Sequence, residues 1–348
     1  MSAPLTANPE PAKFDSGIFG DIYVTGALTG LGYTQNNVVP GDRKSRVDIG
    51  NAQVFIQKTD GPFQFFVQGG GYSIPVIGVP YARAEDTTKA TFGLVPYAFA
   101  KFVPSENFNI MVGKLPTLIG AEYTYTFQNT NIQRGVVWNQ ENAVNKGVQV
   151  NFSNGPLSAS VSLNDGFYSD KYSWLTGLVA YAFDSNNVLA VAAGANLSKT
   201  GRVSGATPLA QNNQDIFNVI FTHTSGPLTI TPYFQYNRVP AIPSLGLMDK
   251  SSTTGFALLG KYSFNENFSL AARGEYIASK GRSVNLLYGA GSDAWTATVT
   301  PTYQIGRYFI RGEVSYIKAT DITPGLAFGP NGDKRSQTRA MVETGVLF

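Results

Sequence analysis

Residues 157–164 read Leu157-Ser158-Ala159-Ser160-Val161-Ser162-Leu163-Asn164. Leu157, Ala159, Val161 and Leu163 share one parity, and Ser158, Ser160, Ser162 and Asn164 the other. Successive side chains of an extended backbone point to opposite faces, so the stretch predicts a strand with one greasy and one wet face. Leu228 to Asn237 repeats the pattern: Leu228, Ile230, Pro232, Phe234 and Tyr236 oppose Thr229, Thr231, Tyr233, Gln235 and Asn237. From Trp295 to Gln304, Trp295, Ala297, Val299, Pro301 and Tyr303 alternate with Thr296, Thr298, Thr300, Thr302 and Gln304.

Tight-turn compositions punctuate these stretches: Thr59-Asp60-Gly61-Pro62, Pro104-Ser105-Glu106-Asn107, Ser153-Asn154-Gly155-Pro156, Asp184 to Asn187, Thr224-Ser225-Gly226-Pro227, Asn265-Glu266-Asn267 and Ile305-Gly306. They recur about every 40 residues. Longer polar stretches lie midway, at 34–45, 199–213, 240–251, 280–292 and 320–337. The segments between breaks are roughly 10 to 13 residues, the length that a strand tilted about 45° needs to cross a bilayer.

Composition fits such a chain. Charged residues are 14% of the 348 against a usual ~25%, while aromatics reach 13%, so surface charge is not what keeps the molecule in solution. A net charge of +3 suggests no nucleic-acid partner. No run of 18 apolar residues occurs, which excludes a transmembrane helix, and the near-neutral mean hydropathy is that of strands with one apolar face. The absence of cysteine rules out disulfides, thiolate nucleophiles, Cys-ligated metals and covalently attached haem.

Alternation alone would also suit a soluble sandwich or propeller, so the aromatics decide. Phe63, Phe102, Phe108, Phe152, Phe221, Phe264, Phe268, Tyr303 and Tyr308 sit on the apolar parity beside the short turns, and Phe256, Tyr276, Trp295 and Tyr316 eight residues further along. Eight residues at ~3.3 Å, tilted ~45°, separate two aromatic rings by about 20 Å, close to the height of an outer-membrane apolar band. Backbone amides in hydrocarbon must all be paired, so the sheet has to close. The predicted fold is an all-β, transmembrane antiparallel β-barrel of about sixteen strands, with short turns at one end and long loops at the other. Residues 1–13, lacking a signal-sequence pattern, read as a flexible leader of a mature chain, and 14–348 as the barrel. The first strand is expected near Ile18 to Thr25 and the last at Thr338 to Phe348. Pro96, Pro232 and Pro301 fall inside strands on the lipid parity and predict a bulge or bend at each.

With tight turns, long outer loops, a third loop longer than its neighbours and a last strand ending Val346-Leu347-Phe348, residues 14 to 348 resemble bacterial outer-membrane porins. More narrowly, Val112-Gly113-Lys114, Gly120-Ala121-Glu122 and Asn145-Lys146-Gly147-Val148 look like the OmpL-like β-barrel porins. The resemblance implies a bacterial outer-membrane location with the short turns periplasmic, and contact with outer-membrane lipid. It also implies a homotrimer, a third loop folded into the lumen, and a terminal Phe348 read by the barrel-assembly machinery. Val346 stands where many porins carry another aromatic.

The third loop, 116–143, carries Glu122, Tyr123, Tyr125, Arg134, Trp138 and Glu141, and its aromatics favour folding inward as a constriction over a mobile external loop. A near-repeat, Ala272-Arg273-Gly274-Glu275-Tyr276 and Ile310-Arg311-Gly312-Glu313-Val314, puts Arg273, Glu275, Arg311 and Glu313 on the lumen parity, with Arg339, Glu343 and Asp21. Adding Lys101 and Lys261 gives five cations against four anions, a surplus too small to decide selectivity. Such a wall could set up a transverse field that screens solutes, or could simply neutralise and brace itself. His223, the one histidine, falls on the outward parity beside a turn. No hydrolase triad or ordinary zinc site is credible, no cofactor is expected, and Asp321 and Asn331-Gly332-Asp333 match no calcium-loop spacing.

The leading functional expectation is a non-enzymatic, water-filled pore for passive diffusion of small hydrophilic solutes and ions. The alternatives are a sheath around a cytochrome or other plug, a substrate-specific channel, and a soluble propeller, which the 40-residue period of two long strands disfavours.

Overall fold

Each alternating stretch becomes a strand of one continuous sheet. The computed structural model describes residues 5, 8, 10–17, 20–281 and 287–348. A short β1 (Ala12–Asp15) precedes sixteen longer strands. These are β2 (Asp21–Gln35), β3 (Ser45–Lys58), β4 (Phe63–Tyr72), β5 (Tyr97–Ser105), β6 (Phe108–Pro116), β7 (Val144–Asn154), β8 (Leu157–Asn164) and β9 (Trp174–Ala182). Then come β10 (Asn187–Asn196), β11 (Asp215–Ser225), β12 (Leu228–Val239), β13 (Ser251–Ser263), β14 (Phe268–Lys280), β15 (Asp293–Ile305), β16 (Tyr308–Thr320) and β17 (Ser336–Leu347). Each strand from β2 onward pairs antiparallel with the next, and β17 pairs with β2 from Arg339 opposite Gln35 to Leu347 opposite Ala27. The barrel is closed, so it has no sheet edge to leave amides unpaired in hydrocarbon.

All seven predicted turn clusters lie at one end, between β3 and β4, β5 and β6, and so on to β15 and β16. The opposite end carries long connections, among them L2 (73–96), which contains helix α1 (Ala84–Ala90), L3 (117–143) and L5 (197–214). The predicted polar stretch 280–292 includes 282–286, and the expected first strand begins at Ile18, all outside the described residues. The first barrel strand runs on to Gln35, beyond the expected Thr25, because Leu31, Tyr33 and Gln35 keep the lumen parity buried. Ala12 and Lys13, within the expected leader, pair with Val24 and Tyr23, and Leu5 is buried against Ala27, Phe309 and Leu347 on the lumen side.

The outer face is apolar across its middle, with charged groups such as Asp215, Arg238 and Lys318 on the outward parity near the long-loop end. On β15, Trp295, Val299 and Tyr303 are exposed while Thr298, Thr300 and Thr302 are buried. Phe234, Phe256, Tyr276 and Trp295 stand in one register row across four adjacent strands, with ring centroids 5.1 Å apart for the first pair and 4.3 Å for the last. Near the short turns Phe63 meets Phe102 at 5.1 Å and Phe264 meets Phe268 at 5.3 Å. Phe348 follows β17, exchanges backbone hydrogen bonds with Gly26, and lays its ring where a Cβ on Gly26 would stand. His223 is half-buried on the outward parity, its Nδ1 2.8 Å from Asn187 Oδ1.

The prolines behave otherwise than the sequence suggests. Pro96 lies just before β5, not inside a strand. At Pro232 and Pro301 there is no register shift: the ladder loses pairs toward β11 and β16 and resumes in the same register, while pairing to β13 and β14 is continuous. A missing N–H faces only one neighbouring strand, so the other ladder holds the register. The irregularities lie elsewhere, between Phe102 and Ser105 of β5 around Pro104, and between Thr29 and Gly30 opposite β3.

Val299 sits at the middle of β15 on the lipid face. Val299→Arg should destabilise the folded barrel by ~2–4 kcal/mol, as expected for a basic side chain at the bilayer midplane. Denaturant titration in lipid vesicles reads this directly.

Candidate functional site: the third loop in the lumen

One sector of the inner wall, on β14 to β17, carries the charges expected from parity: Arg273, Glu275, Arg311, Glu313, Arg339 and Glu343, all buried. What covers them is L3. The Glu313 carboxylate accepts the backbone N–H groups of Ile132 and of Gln133 (3.0 Å), together with the Gln133 side-chain amide (2.9 Å) and the Thr300 hydroxyl (2.8 Å). Arg311 donates to the carbonyls of Asn129 (2.8 Å) and Thr126 (2.7 Å) and pairs with Glu343 at 2.6 Å. Glu343 also accepts from the hydroxyls of Thr126 (2.5 Å) and Thr29 (2.9 Å).

Further along the loop, Arg273 pairs with Glu122 of L3 at 2.7 Å and with Glu275 at 3.2 Å, and donates to the Gln133 carbonyl (2.7 Å). The N–H of Gly135 donates to Glu122 (2.9 Å) and that of Val137 to Glu275 (3.1 Å). Gly135 is needed here: a Cβ would lie 2.1 Å from one Glu275 oxygen and 2.7 Å from one of Glu122. Arg339 reaches Gln133 (2.9 Å), Gln35 (2.8 Å) and the carbonyls of Val76 and Val79 in L2, with Asp42 3.5 Å away. Arg134 stays within the loop, donating to the carbonyls of Thr124, Asn131 and Ile132. L2 pairs with the same segment through Ile77 N–H to the Arg134 carbonyl (3.0 Å) and Arg134 N–H to that of Pro75 (2.8 Å).

A charge removed from water is tolerable only when paired and fully hydrogen-bonded. Here wall and loop meet most of each other's polar groups, leaving Nε of Arg273 and of Arg134 and one oxygen of Glu141 without a hydrogen bond, which explains why a polar loop is held inside a barrel. On the far side of L3, Tyr233 donates to Glu141 at 2.5 Å and Gln235 to the Val137 carbonyl at 3.0 Å. Burial, with no cation facing it, pushes the Glu141 carboxyl of this loop well above the usual carboxylate range.

Of the six loop residues singled out from the sequence, Tyr123 alone is exposed, and Glu122, Tyr125, Arg134 and Glu141 are buried contacts within this dock. Trp138 is also buried. Tyr123 borders two cavities that share it and Thr222. One, of about 380 Å³, lies between L3 and the inner faces of β9–β11, at Leu178, Ala180, Val188, Ala190 and Ile220. The other, of about 50 Å³, lies toward the short-turn end and reaches Thr229, Thr231, Leu259 and Lys261. Lys101 and Lys261 are half-buried on the lumen parity. Asp21 is at the short-turn rim, 2.8 Å from Lys13.

Two sets of residues escaped the sequence reading. The L3 groups that meet the wall charges are mostly backbone, which no side-chain pattern reveals. Phe55, Phe66 and Phe99 line the lumen on β3, β4 and β5, where both parities are apolar; their signal is that they fall on the parity opposite Phe63 and Phe102.

The family model described as "Putative beta-barrel porin-2, OmpL-like" matches residues 21–348, nearly the whole barrel. The chain belongs to this porin family. Among solved structures, this porin is similar in fold to the anion-selective porin of Comamonas acidovorans, at 13% identity and a TM-score of 0.66, covering 94% of this chain and 99% of that one. The outer-membrane channel DcaP of Acinetobacter baumannii gives 11% identity and a TM-score of 0.66, covering 97% and 100%. OmpT of Vibrio cholerae gives 14% identity and a TM-score of 0.63, with the same coverage. No curated protein matches the chain by sequence. Family and fold together make this an outer-membrane porin, with its short turns periplasmic.

Glu313→Ala should release the Ile132 and Gln133 amides. Losing hydrogen bonds to a charged group, at ~1.5–3 kcal/mol each, should speed their hydrogen exchange by about tenfold or more while barrel-strand amides stay protected. Exchange read by mass spectrometry on L3 peptides checks this.

Proposed function

We propose that this porin forms a narrow water-filled pore through which small hydrophilic solutes and ions diffuse passively, and that it catalyses no reaction. The observation that carries the reading is the pair of cavities beside L3, both lined by Tyr123 and Thr222 and lying along the inner faces of β9–β13, outside the charged sector. L3 acts as the constriction, with Tyr123 at its margin. Arg273, Glu275, Arg311, Glu313, Arg339 and Glu343 serve chiefly to hold the loop, because their charges are spent on it and on one another. Among the described residues, the charged groups on the lumen parity of β2–β17 toward the periplasm are Lys101, Lys261 and the Lys13-paired Asp21, two cations against one paired anion, so the pore prefers anions. Against a sheath for a cytochrome or other plug stands the occupation of the outer half of the lumen by this chain's own L2, L3 and L5, tied together at Arg134 to Pro75 and Gln211 to Asn139. Assembly as a homotrimer and recognition of Phe348 by the barrel-assembly machinery complete the proposal.

Purified protein in a planar bilayer under a KCl gradient should give discrete conductance steps and a reversal potential of the sign for chloride preference. Exchanging both lysines, Lys101→Gln with Lys261→Gln, should lower the anion-to-cation permeability ratio by about twofold or more. A sealed barrel contradicts the pore, and an unchanged ratio contradicts the assignment of the lysines.

A further inference from the structure

The charged sector is sealed beneath L3, and the rest of the inner wall is mixed, polar on β7 and β8 and apolar on other strands. Beyond β2, three phenylalanines form a row across adjacent strands: Phe55 and Phe66 lie 6.2 Å apart with planes at 19°, and Phe66 and Phe99 5.6 Å apart at 23°. Phe66 and Phe99 are direct register partners. The row is on the lumen side. Phe66 shares its strand face with buried Gln68 and Phe99 with buried Tyr97, while Phe55 meets Phe127 of L3 at 5.7 Å. All four rings are half-buried, so each presents part of its surface to the lumen.

Phe55 and Phe66 pack in part against the hydrophobic clusters that hold L3, and the ring surface they and Phe99 leave exposed is available to a solute. Immediately toward the periplasm on the same strand face, two residues beyond Phe99, is Lys101, opposite Gln64 in register. Two residues span about 6.6 Å of strand, within reach of one flexible lysine side chain. Among the described residues Lys101 has no hydrogen-bond or ion-pair partner. The ring of sixteen strands sets β5 eight strands from β13, so Lys101 and Lys261 lie on opposite sides of the lumen.

From this juxtaposition we infer that the row of Phe55, Phe66 and Phe99, with Lys101 beside it, is a solute-binding strip for one-ring aromatic carboxylates. The ring of the solute stacks against the phenylalanines, and its carboxylate, ionised at neutral pH, meets the Lys101 ammonium and the Gln64 amide. Aliphatic acids gain the charge contact without the stacking, and neutral aromatics the stacking without the charge. The inference rests on the pore reading above and deepens it: the porin remains a passive channel, but one in which this solute class dwells.

The test uses the full-length protein in planar bilayers with sodium benzoate as probe and sodium acetate as control. Steps in KCl alone establish the pore; their absence overturns the pore reading and this inference with it. Given steps, benzoate should reduce the current saturably, and acetate should need about tenfold or more higher concentration for the same effect. Phe66→Leu keeps apolar bulk but removes the ring, and should raise the half-blocking benzoate concentration by about three- to tenfold. Lys101→Gln should raise it similarly, while Phe63→Leu, on the lipid face of the same strand, should leave it unchanged. Unheated gel mobility reports that each variant is a folded barrel. Conducting channels in which benzoate acts no better than acetate, or in which Phe66→Leu and Phe63→Leu are alike, overturn the inference and leave the pore intact.

Discussion

Arginines and glutamates face inward from three strands of one sector of this barrel, β14, β16 and β17, and all six are buried. Withdrawing such groups from solvent costs several kcal/mol each unless every donor and acceptor is met. Side chains on the wall supply part of the answer, as in the Arg311–Glu343 pair, but strands cannot bend to supply the rest. The backbone of L3 does: carbonyls of Thr126, Asn129 and Gln133 receive the guanidinium groups, and amides of Ile132, Gln133, Gly135 and Val137 reach carboxylates. The position of the loop, the narrowing of the lumen and the side on which space remains all follow from that mutual satisfaction.

The consequence is a division of the lumen. A polar interior is the ordinary expectation for a water-filled barrel, and the sequence left the charges of the β14–β17 wall open between a field that screens solutes and mutual bracing. Those charges are structural in effect, since they are neutralised and enclosed. In the proposed pore the surface left for solutes is the remainder of the wall, with aliphatic residues on β9–β11, an aromatic row on β3–β5, and lysines on β5 and β13. Selectivity in such a passage comes from few charges acting in a narrow, weakly screened space, where even one or two ammonium groups count.

Period-two alternation and turn chemistry made most of the fold legible. Leu157 to Asn164 and Trp295 to Gln304 form strands with the expected faces, the seven turn clusters lie at one end, and parity alone sent Arg273, Glu275, Arg311 and Glu313 inward. Legibility failed where information is not carried by side-chain alternation. Proline signalled disruption at positions 232 and 301, yet a lost donor on one side of a strand does not move a register held from the other. Loop docking by backbone carbonyls leaves no trace in residue type, although Gly135 marks the close approach. In Phe63-Gln64-Phe65-Phe66 the faces are not distinguished by polarity, so the inward Phe66 was not singled out.

The central claim is that L3 seals the charged sector and leaves the inner faces of β3–β5 and β9–β11 open. Because the chain has no cysteine, single cysteines can be placed on either side and challenged with a charged, membrane-impermeant thiol reagent during current recording. Phe99→Cys and Thr222→Cys should react readily and step the current down, whereas Ser315→Cys and Thr298→Cys, beneath the loop, should stay unmodified. Fast modification at Ser315 or Thr298, with protection at Phe99 and Thr222, would contradict the account.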